Sequence, residues 1–553
     1  MNDYPYELGT HRRTISTTSA DAQIWFDRGL NWCFGYNHEE AAQCFKKALE
    51  SDPDCAMAHW GVAYVMGPNY NKPWELFDAN DLAATLRVTR EAIAAAQASS
   101  NTNATERALI AAIDKRYQSD AAIDDLYIWS LDYANAMREV YDKFPNDYDV
   151  VTLFVEAMMN RTPWQMWDPR SGEPVAGADT LECREVLEKS IAQLNLAGAT
   201  RHPGVLHLYV HLMEMSPFPE KALRTADDLR DLVPDAGHLN HMATHIDVLC
   251  GNYQAVVASN SVAILADYKY FERNGAMNFY SLYRAHNYHF KLYGAMFLGQ
   301  YAPAIDAVEA MMKTLPDELM RLESPPMANW LEGYASMKTH AYVRFGRWQE
   351  LLDQALPDDQ SLYCMSSAMN YYGKGVAHSV LGNVDAALAA QKQFEAAANR
   401  VPRERHIHVV SCEAILGVAR EMLAGELEYR RENYSTAFAH LRQAVINEDQ
   451  LPYDEPWGWM QPSRHALGAL LLEQNHVEEA AAAYRADLGV DDTVLRSNQH
   501  PDNVWALMGL HECYTRLGKS DEAQMIKPRL NFALARADLP IKASCFCSLN
   551  AAD

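Results

Sequence analysis

The sequence predicts an all-α chain of stacked antiparallel helix pairs, and three observations predict it. Apolar residues recur at three- and four-residue spacing along most of the chain. Short turns of the form G-N-Y, G-Q-Y, G-R-W and E-N-Y interrupt them. Gly or Ala recurs near those turns, where the two helices of a pair must cross closely. With 553 residues and 49% hydrophobic content the chain can bury a large core, and a repeat accounts for that length without three or four separate domains.

The first pair is the clearest. From Ala22, the residues Trp25, Gly29, Trp32, Ala41, Phe45, Ala48 and Pro53 fall at positions 4, 8, 11, 20, 24, 27 and 32 of a repeating unit. Gly29 and Ala41 are small where the helices cross, aromatics fill the space beside them, and Pro53 stops the second helix. This pattern resembles the tetratricopeptide repeat of about 34 residues. The resemblance implies a right-handed α-solenoid with a concave inner face, in which no single pair buries its apolar side alone.

Further units follow in order. Ala222 and Pro234 set one from Pro203; Gly251, Tyr253 and Ala263 set the next from Gly237; Gly299, Tyr301, Ala304 and Pro316 set another near Ala285. Downstream, turn and small-residue signals place starts near Glu332, Ala368, Val418, Gln461 and Val504. Two segments fall outside the scheme. Trp167–Thr180, rich in Gly, Pro and charge, reads as a long loop, and Glu448–Arg464, with three prolines and two tryptophans, as a packed connector folding back over a groove. The expected organisation is an N-terminal tail over 1–20, helical repeats over 21–200, histidine-rich repeats over 201–320, further repeats over 321–540 and a tail over 541–553.

Composition narrows the partners. A formal charge of −25 repels phosphate backbones and anionic membrane surfaces, so nucleic acid and membrane are not expected. The N-terminal stretch lacks the apolar core of a signal peptide and no apolar run is long enough to span a bilayer, which makes a cytoplasmic protein the expectation. Ten scattered cysteines then read as reduced thiols. Cys545 and Cys547 are close enough to hold a soft metal, although a disordered tail is the plainer expectation.

The histidines carry the chemistry. Of 20 in the chain, six lie in HPGVLHLYVHLME and GHLNHMATHID. In the first helix of a repeat, positions 2, 5, 9, 12 and 13 share one face. His207, His211 and Glu214 take positions 5, 9 and 12 of the unit from Pro203; His238, His241 and His245 take 2, 5 and 9 of the next; His286 and His289 take 2 and 5 of the unit near Ala285; His340 takes 9 of the unit near Glu332. Imidazoles from neighbouring helices therefore point into one groove. So many would repel if protonated and waste hydrogen-bonding capacity if neutral, and a shared metal relieves both costs.

The H-x-x-x-H spacing brings two imidazoles to one ion, but Leu208 follows His207 where a metalloprotease has its general-base glutamate, so proteolysis is disfavoured. Glu214 fits a ligand, a catalytic proton acceptor for water or an orienter of a histidine. An imidazole-dominated set suits a transition metal, copper or iron before zinc, as one ion or two. Tyr293 and Met296 line the same expected substrate groove as His340, and core packing explains them equally well. Asn69, Asn71, Asn160, Trp164 and Trp167 read as helix-end caps and staples.

The run from HPG through GHLNHMATHI to HNYHF, FGRW and LPYDEP resembles a group of long bacterial and fungal tetratricopeptide repeat proteins with a histidine-bearing signature. Ala243 departs from that pattern, where proline often follows the Met, and leaves His241 and His245 in place. The resemblance implies no particular reaction. Two functions are consistent with these residues: a metal-dependent oxidoreductase acting on a small molecule in the groove, or a scaffold gripping a peptide or protein partner along it.

Overall fold

The structure is a computed structural model that describes residues 4–198, 201–491 and 493–548. It is all-α and TPR-like, built from antiparallel helix pairs; among the described residues the named strands are those of one two-stranded hairpin, His406–Ile407 with Val410–Ser411. No described helix is long and apolar enough to cross a membrane. The chain divides into two compact units: Met1–Ile246 with Val262–Tyr283, and Asp247–Ser261 with Arg284–Asp553.

One turn geometry recurs. Helix Ala20–Phe34 is followed by helix His38–Ser51, and Tyr36 between them has φ +54°. The equivalent left-handed residue is Gly251, Gly299, Gly346, Gly382 or Gly518 in later pairs, and Glu432 or Asn475 in two others. The chain reverses within a few residues only if one of them turns left-handed, which glycine does without strain. This is the physical content of the G-x-aromatic signal.

The small residues do what their spacing predicts. A Cβ on Gly29 or on Gly61 would lie 2.7 Å from the ring of Phe45, so the ring is gripped between two helices that lack side chains there. In the second unit, Gly468 and Gly509 close on the ring of Tyr484 in the same way.

Departures from the ideal unit have local causes. After helix Pro203–Glu214 the second helix is reduced to a 3₁₀ turn, Pro219–Ala222, and the seven residues Leu223–Leu229, because Pro217 and Pro219 delay its start. The unit near Glu332 is broken into Ala328–Leu331, a 3₁₀ turn at Glu332–Ser336, and Met337–Arg344. There the buried Glu332 carboxylate accepts from the backbone N–H groups of Met365 at 3.1 Å and Ser366 at 2.9 Å. It thereby caps helix Cys364–Val380, which has no side-chain cap of its own.

The two expected tails are packed over their described residues. Trp32 Nε1 donates to Tyr4 Oη at 2.7 Å, and Arg13 pairs with Asp147 and Asp149 within the first unit. At the other end the expected disordered tail and the expected reduced pair are both corrected: Ile541, Ser544, Cys547 and Ser548 are buried, and Cys545 and Cys547 are joined as a disulfide. Arginines on two helices hold this segment, a contact invisible in its own sequence. The other eight cysteines are free thiols, and residues 549–553 of the expected tail lie outside the described residues.

Because Phe45 is enclosed by glycines on both sides, its loss leaves a cavity that the backbones cannot fill. Phe45→Ala is expected to destabilise the first unit by about 3–5 kcal/mol, read as a lowered urea midpoint of that unit's transition.

Candidate metal centre

Helix Pro203–Glu214 begins with proline at its first position and His202 as N-cap, and every residue in it is buried. A helix buried on all faces must satisfy its polar side chains internally. His207, His211 and Glu214 meet His238, His241 and His245 from helix Gly237–Leu249, and all six are at most 1% exposed. The residues expected to face an open groove thus form a closed polar cluster in the first unit.

Its geometry is specific. His207 Nε2 lies 3.1 Å from His238 Nε2, and His241 Nε2 lies 2.8 Å from His245 Nε2. Glu214 forks between two rings, with Oε1 3.0 Å from His211 Nδ1 and Oε2 2.7 Å from His245 Nδ1. One nitrogen each from His207, His211 and His238 lies within 4.8 Å of the others. Two imidazole nitrogens bound to a common ion at 2.0–2.1 Å are separated by about 2.9 Å at a square corner and about 3.3 Å at a tetrahedral one, so both Nε2 pairs have the spacing of paired ligands. The same distances serve an N–H···N hydrogen bond between neutral rings.

The electrostatics favour neutral rings. Burial holds His207 and His238 well below the ordinary imidazole range, and each is lowered further by neighbouring histidines. Burial also brings His245 down to about 3, although the Glu214 carboxylate pulls the other way. Glu214 faces His211 and His245 through their Nδ1 atoms, while Nε2 of His245 meets Nε2 of His241. Glu214 thus places one oxygen beside each of two imidazoles.

An aromatic wall surrounds the cluster. The Tyr36 ring lies 4.6 Å from His207 and stacks on His238 at 5.4 Å; Tyr70 and Trp164 lie 5.1 and 5.9 Å from His211; Tyr283 lies 5.0 Å from His238. Beyond Tyr36 and Tyr283 opens a cavity of about 150 Å³ whose lining includes His38, Glu39, Asn69, Lys72 and Asp81. Sequence reasoning missed Tyr36, His38, Tyr70 and Tyr283 because they stand in turns and helix ends. One signal was available: G-Y-N carries its aromatic at the left-handed position that glycine fills in most other turns.

Asn69, expected at a helix end, lies in the turn beyond helix Ala56–Met66 and accepts from the N–H groups of Asn71 at 2.9 Å and Lys72 at 2.8 Å. Asn160 ends helix Tyr148–Met159, and Trp167 donates to the Leu212 carbonyl at 2.7 Å.

The remaining sequence candidates belong to the second unit. On helix Ser281–Leu298, His286 stacks on His408 at 5.1 Å, and His289 Nε2 lies 2.8 Å from Met460 Sδ. Tyr293 packs against Phe297 at 4.6 Å, and the Met296 carbonyl accepts from Trp505 Nε1 at 2.7 Å. His340 is fully buried, its ring 4.9 Å from Trp459 and neither ring nitrogen hydrogen-bonded. The segment between Glu448 and Arg464 supplies Trp459 and Met460, both buried, and is a packed connector.

No family model matches the chain, and no curated protein matches it. Solved structures to which it is similar include Naa15/Naa10 bound to HypK-THB, at 11% identity over 93% of this chain and 70% of that chain, with TM-score 0.21. Yeast Tom70 is similar at 12% identity over 93% and 92%, TM-score 0.25, and Cut9 in the APC/C hetero-tetramer Cut9–Hcn1 at 13% over 95% and 94%, TM-score 0.21. Likeness at this level says nothing of function.

Burial brings His340 down to about 3, so the folded chain holds it neutral while the unfolded chain, near 6.5, takes up a proton. Its contribution to stability is intact above about pH 6.5 and is lost progressively as pH falls toward 3, reaching about 2 kcal/mol at pH 5. His340→Leu is expected to remove that part of the acid sensitivity, checked by the difference in melting temperature between wild type and variant from pH 7.5 to 5.

Proposed function

We propose that the first unit is a transition-metal centre and that the protein is a metal-dependent enzyme, an oxidoreductase before a hydrolase, acting on a small molecule admitted through the cavity beside Tyr36. The observation that carries the reading is the closed set of buried imidazoles, His207, His211, His238, His241 and His245, with nitrogens paired at 3.1 and 2.8 Å. Neutral imidazole is the commonest protein metal ligand, and the second ring nitrogen of a ligating histidine is normally held by a carboxylate or carbonyl. Glu214 supplies that hold twice.

The donor set also weighs the metals. An iron site of two histidines and one carboxylate needs a carboxylate oxygen free to bind, and both oxygens of Glu214 face Nδ1 atoms. An all-nitrogen set suits copper first and zinc second. Five imidazoles exceed the ligands of one tetrahedral ion, so two ions side by side fit as well as one with supporting rings. When bound, copper would supply one-electron chemistry; the chain's own residues orient the ligands and exclude water with Tyr36, Tyr70 and Trp164. The cavity, with Lys72 paired to Asp81 at 2.8 Å near its edge, suits a small polar or aromatic molecule.

A second reading, a scaffold for a protein partner, is favoured by a different observation. On helix Ser520–Arg536, Met525 and Phe532 are 78% and 73% exposed and lie seven residues apart on one face. Such a partner would not contact the buried histidines. Replacing both residues with glutamate would abolish its binding and leave metal content unchanged.

The full chain, expressed with added copper, is expected to retain metal in stoichiometric amount by elemental analysis. His211→Ala with His245→Ala should lose it, and Glu214→Gln, which keeps the shape but not the charged acceptor, should weaken affinity about 10–100-fold. Metal-free wild-type protein, or equal retention by the double variant, would remove the proposal.

A further inference from the structure

The C-terminal segment carries a second chemical site, independent of the histidine cluster. It is held against the body of the second unit by several bonds. Arg344 Nη2 donates to the Ser544 carbonyl at 2.5 Å, Ser544 Oγ to the His465 carbonyl at 2.8 Å, and Ser548 Oγ to Glu473 Oε1 at 2.6 Å; Arg430 donates to the Cys547 carbonyl. Within this segment Cys547 is buried, Cys545 is half-buried, and their sulfurs are bonded.

One acid faces them. Glu426 is 2% exposed, a carboxyl oxygen lies within 4.8 Å of both sulfurs, and Oε2 has no hydrogen-bond partner. A buried carboxyl oxygen left without a hydrogen bond needs a reason. The cavity that joins Glu426 to the two sulfurs measures about 20 Å³, room for a water and not for a substrate. A reagent therefore meets the pair from the exposed side of Cys545.

We infer that Cys545 and Cys547 are a thiol–disulfide exchange site for small thiols, with Glu426 as the buried group that gives and takes the proton of Cys547. A thiolate attacks Cys545 Sγ, forming a mixed disulfide as the Cys545–Cys547 bond breaks. The electron pair leaves on Cys547, which takes the proton of Glu426. A second thiolate attacks the reagent's sulfur in the mixed disulfide, releasing the oxidised reagent and Cys545 thiolate, which is protonated from water. Two thiols are oxidised and one disulfide is reduced. The reverse sequence, starting from the dithiol and an oxidised small disulfide, restores the bond.

The surroundings suit that role. Burial pushes Glu426 up to about 7, moderated by Arg430, whose Nη2 is 3.7 Å away, and reinforced by Glu473. Arg344 and His465 face it across the same cavity. A carboxyl near half protonation at neutral pH serves both directions of exchange.

The experiment uses the full chain equilibrated in graded mixtures of reduced and oxidised glutathione, quenched with iodoacetamide and mapped by peptide mass, with the half-buried Cys250 as internal reference. Cys545 and Cys547 are expected to become alkylated together and reversibly as the mixture turns reducing. Glu426→Gln is expected to slow exchange about tenfold at pH 7 and to remove the inflection near pH 7 from the rate profile. A pair that stays unreactive, or alkylates one cysteine without the other, overturns the inference, as does a folded Glu426→Gln with the wild-type rate and profile. Protection of the reduced pair by a bound Cu⁺ or Zn²⁺ ion at every ratio overturns it in favour of a soft-metal site. Should the variant fail to fold, the wild-type titration decides alone.

Discussion

The first unit depends on one constraint: a neutral imidazole buried away from water carries one donor and one acceptor that must each find a partner. Five such rings are buried in the first unit, and the Glu214 carboxylate lies 3.0 Å from Nδ1 of His211 and 2.7 Å from Nδ1 of His245. That contact ties the orientation of both rings to one side chain. Around these rings stand the paired Nε2 atoms, Tyr36 stacked on His238, and Tyr70 and Trp164 beside His211.

The repeat makes this possible by being rigid where the site is not self-supporting. Gly29 and Gly61 grip Phe45, and the left-handed Tyr36, in the turn between the first two helices, lays its ring against His207 and His238. A tyrosine in that conformation is costly compared with glycine, by about 1 kcal/mol or more. Its ring contacts with His207 and His238 offset the cost, which explains why this turn departs from the glycine used in others.

What the sequence made legible was whatever depends on short spacing. Steps of three and four place His207, His211 and Glu214 on one helix face, and His238, His241 and His245 on another, and the structure brings those faces together. The small-residue signals likewise located the turns at Gly251, Gly299 and Gly346. The same counting assigned His289 and His340 to the face, yet contacts to them are made by residues far along the chain, Met460 and Trp459. Periodicity reports which face a residue occupies and is silent about what a connector more than a hundred residues later lays against it. The C-terminal segment was illegible for the same reason, since Arg344 and Arg430 lie on distant helices.

Two buried glutamates show how the same side chain is put to different use by its neighbours. Glu214 stands between two imidazoles, with one oxygen near Nδ1 of each. Glu426 has an arginine at 3.7 Å and an oxygen without a hydrogen bond, so burial dominates and its proton is loosely held near neutrality. Local contacts set the two apart: imidazole nitrogens at 3.0 and 2.7 Å beside Glu214, and a guanidinium nitrogen at 3.7 Å with two sulfurs nearby for Glu426.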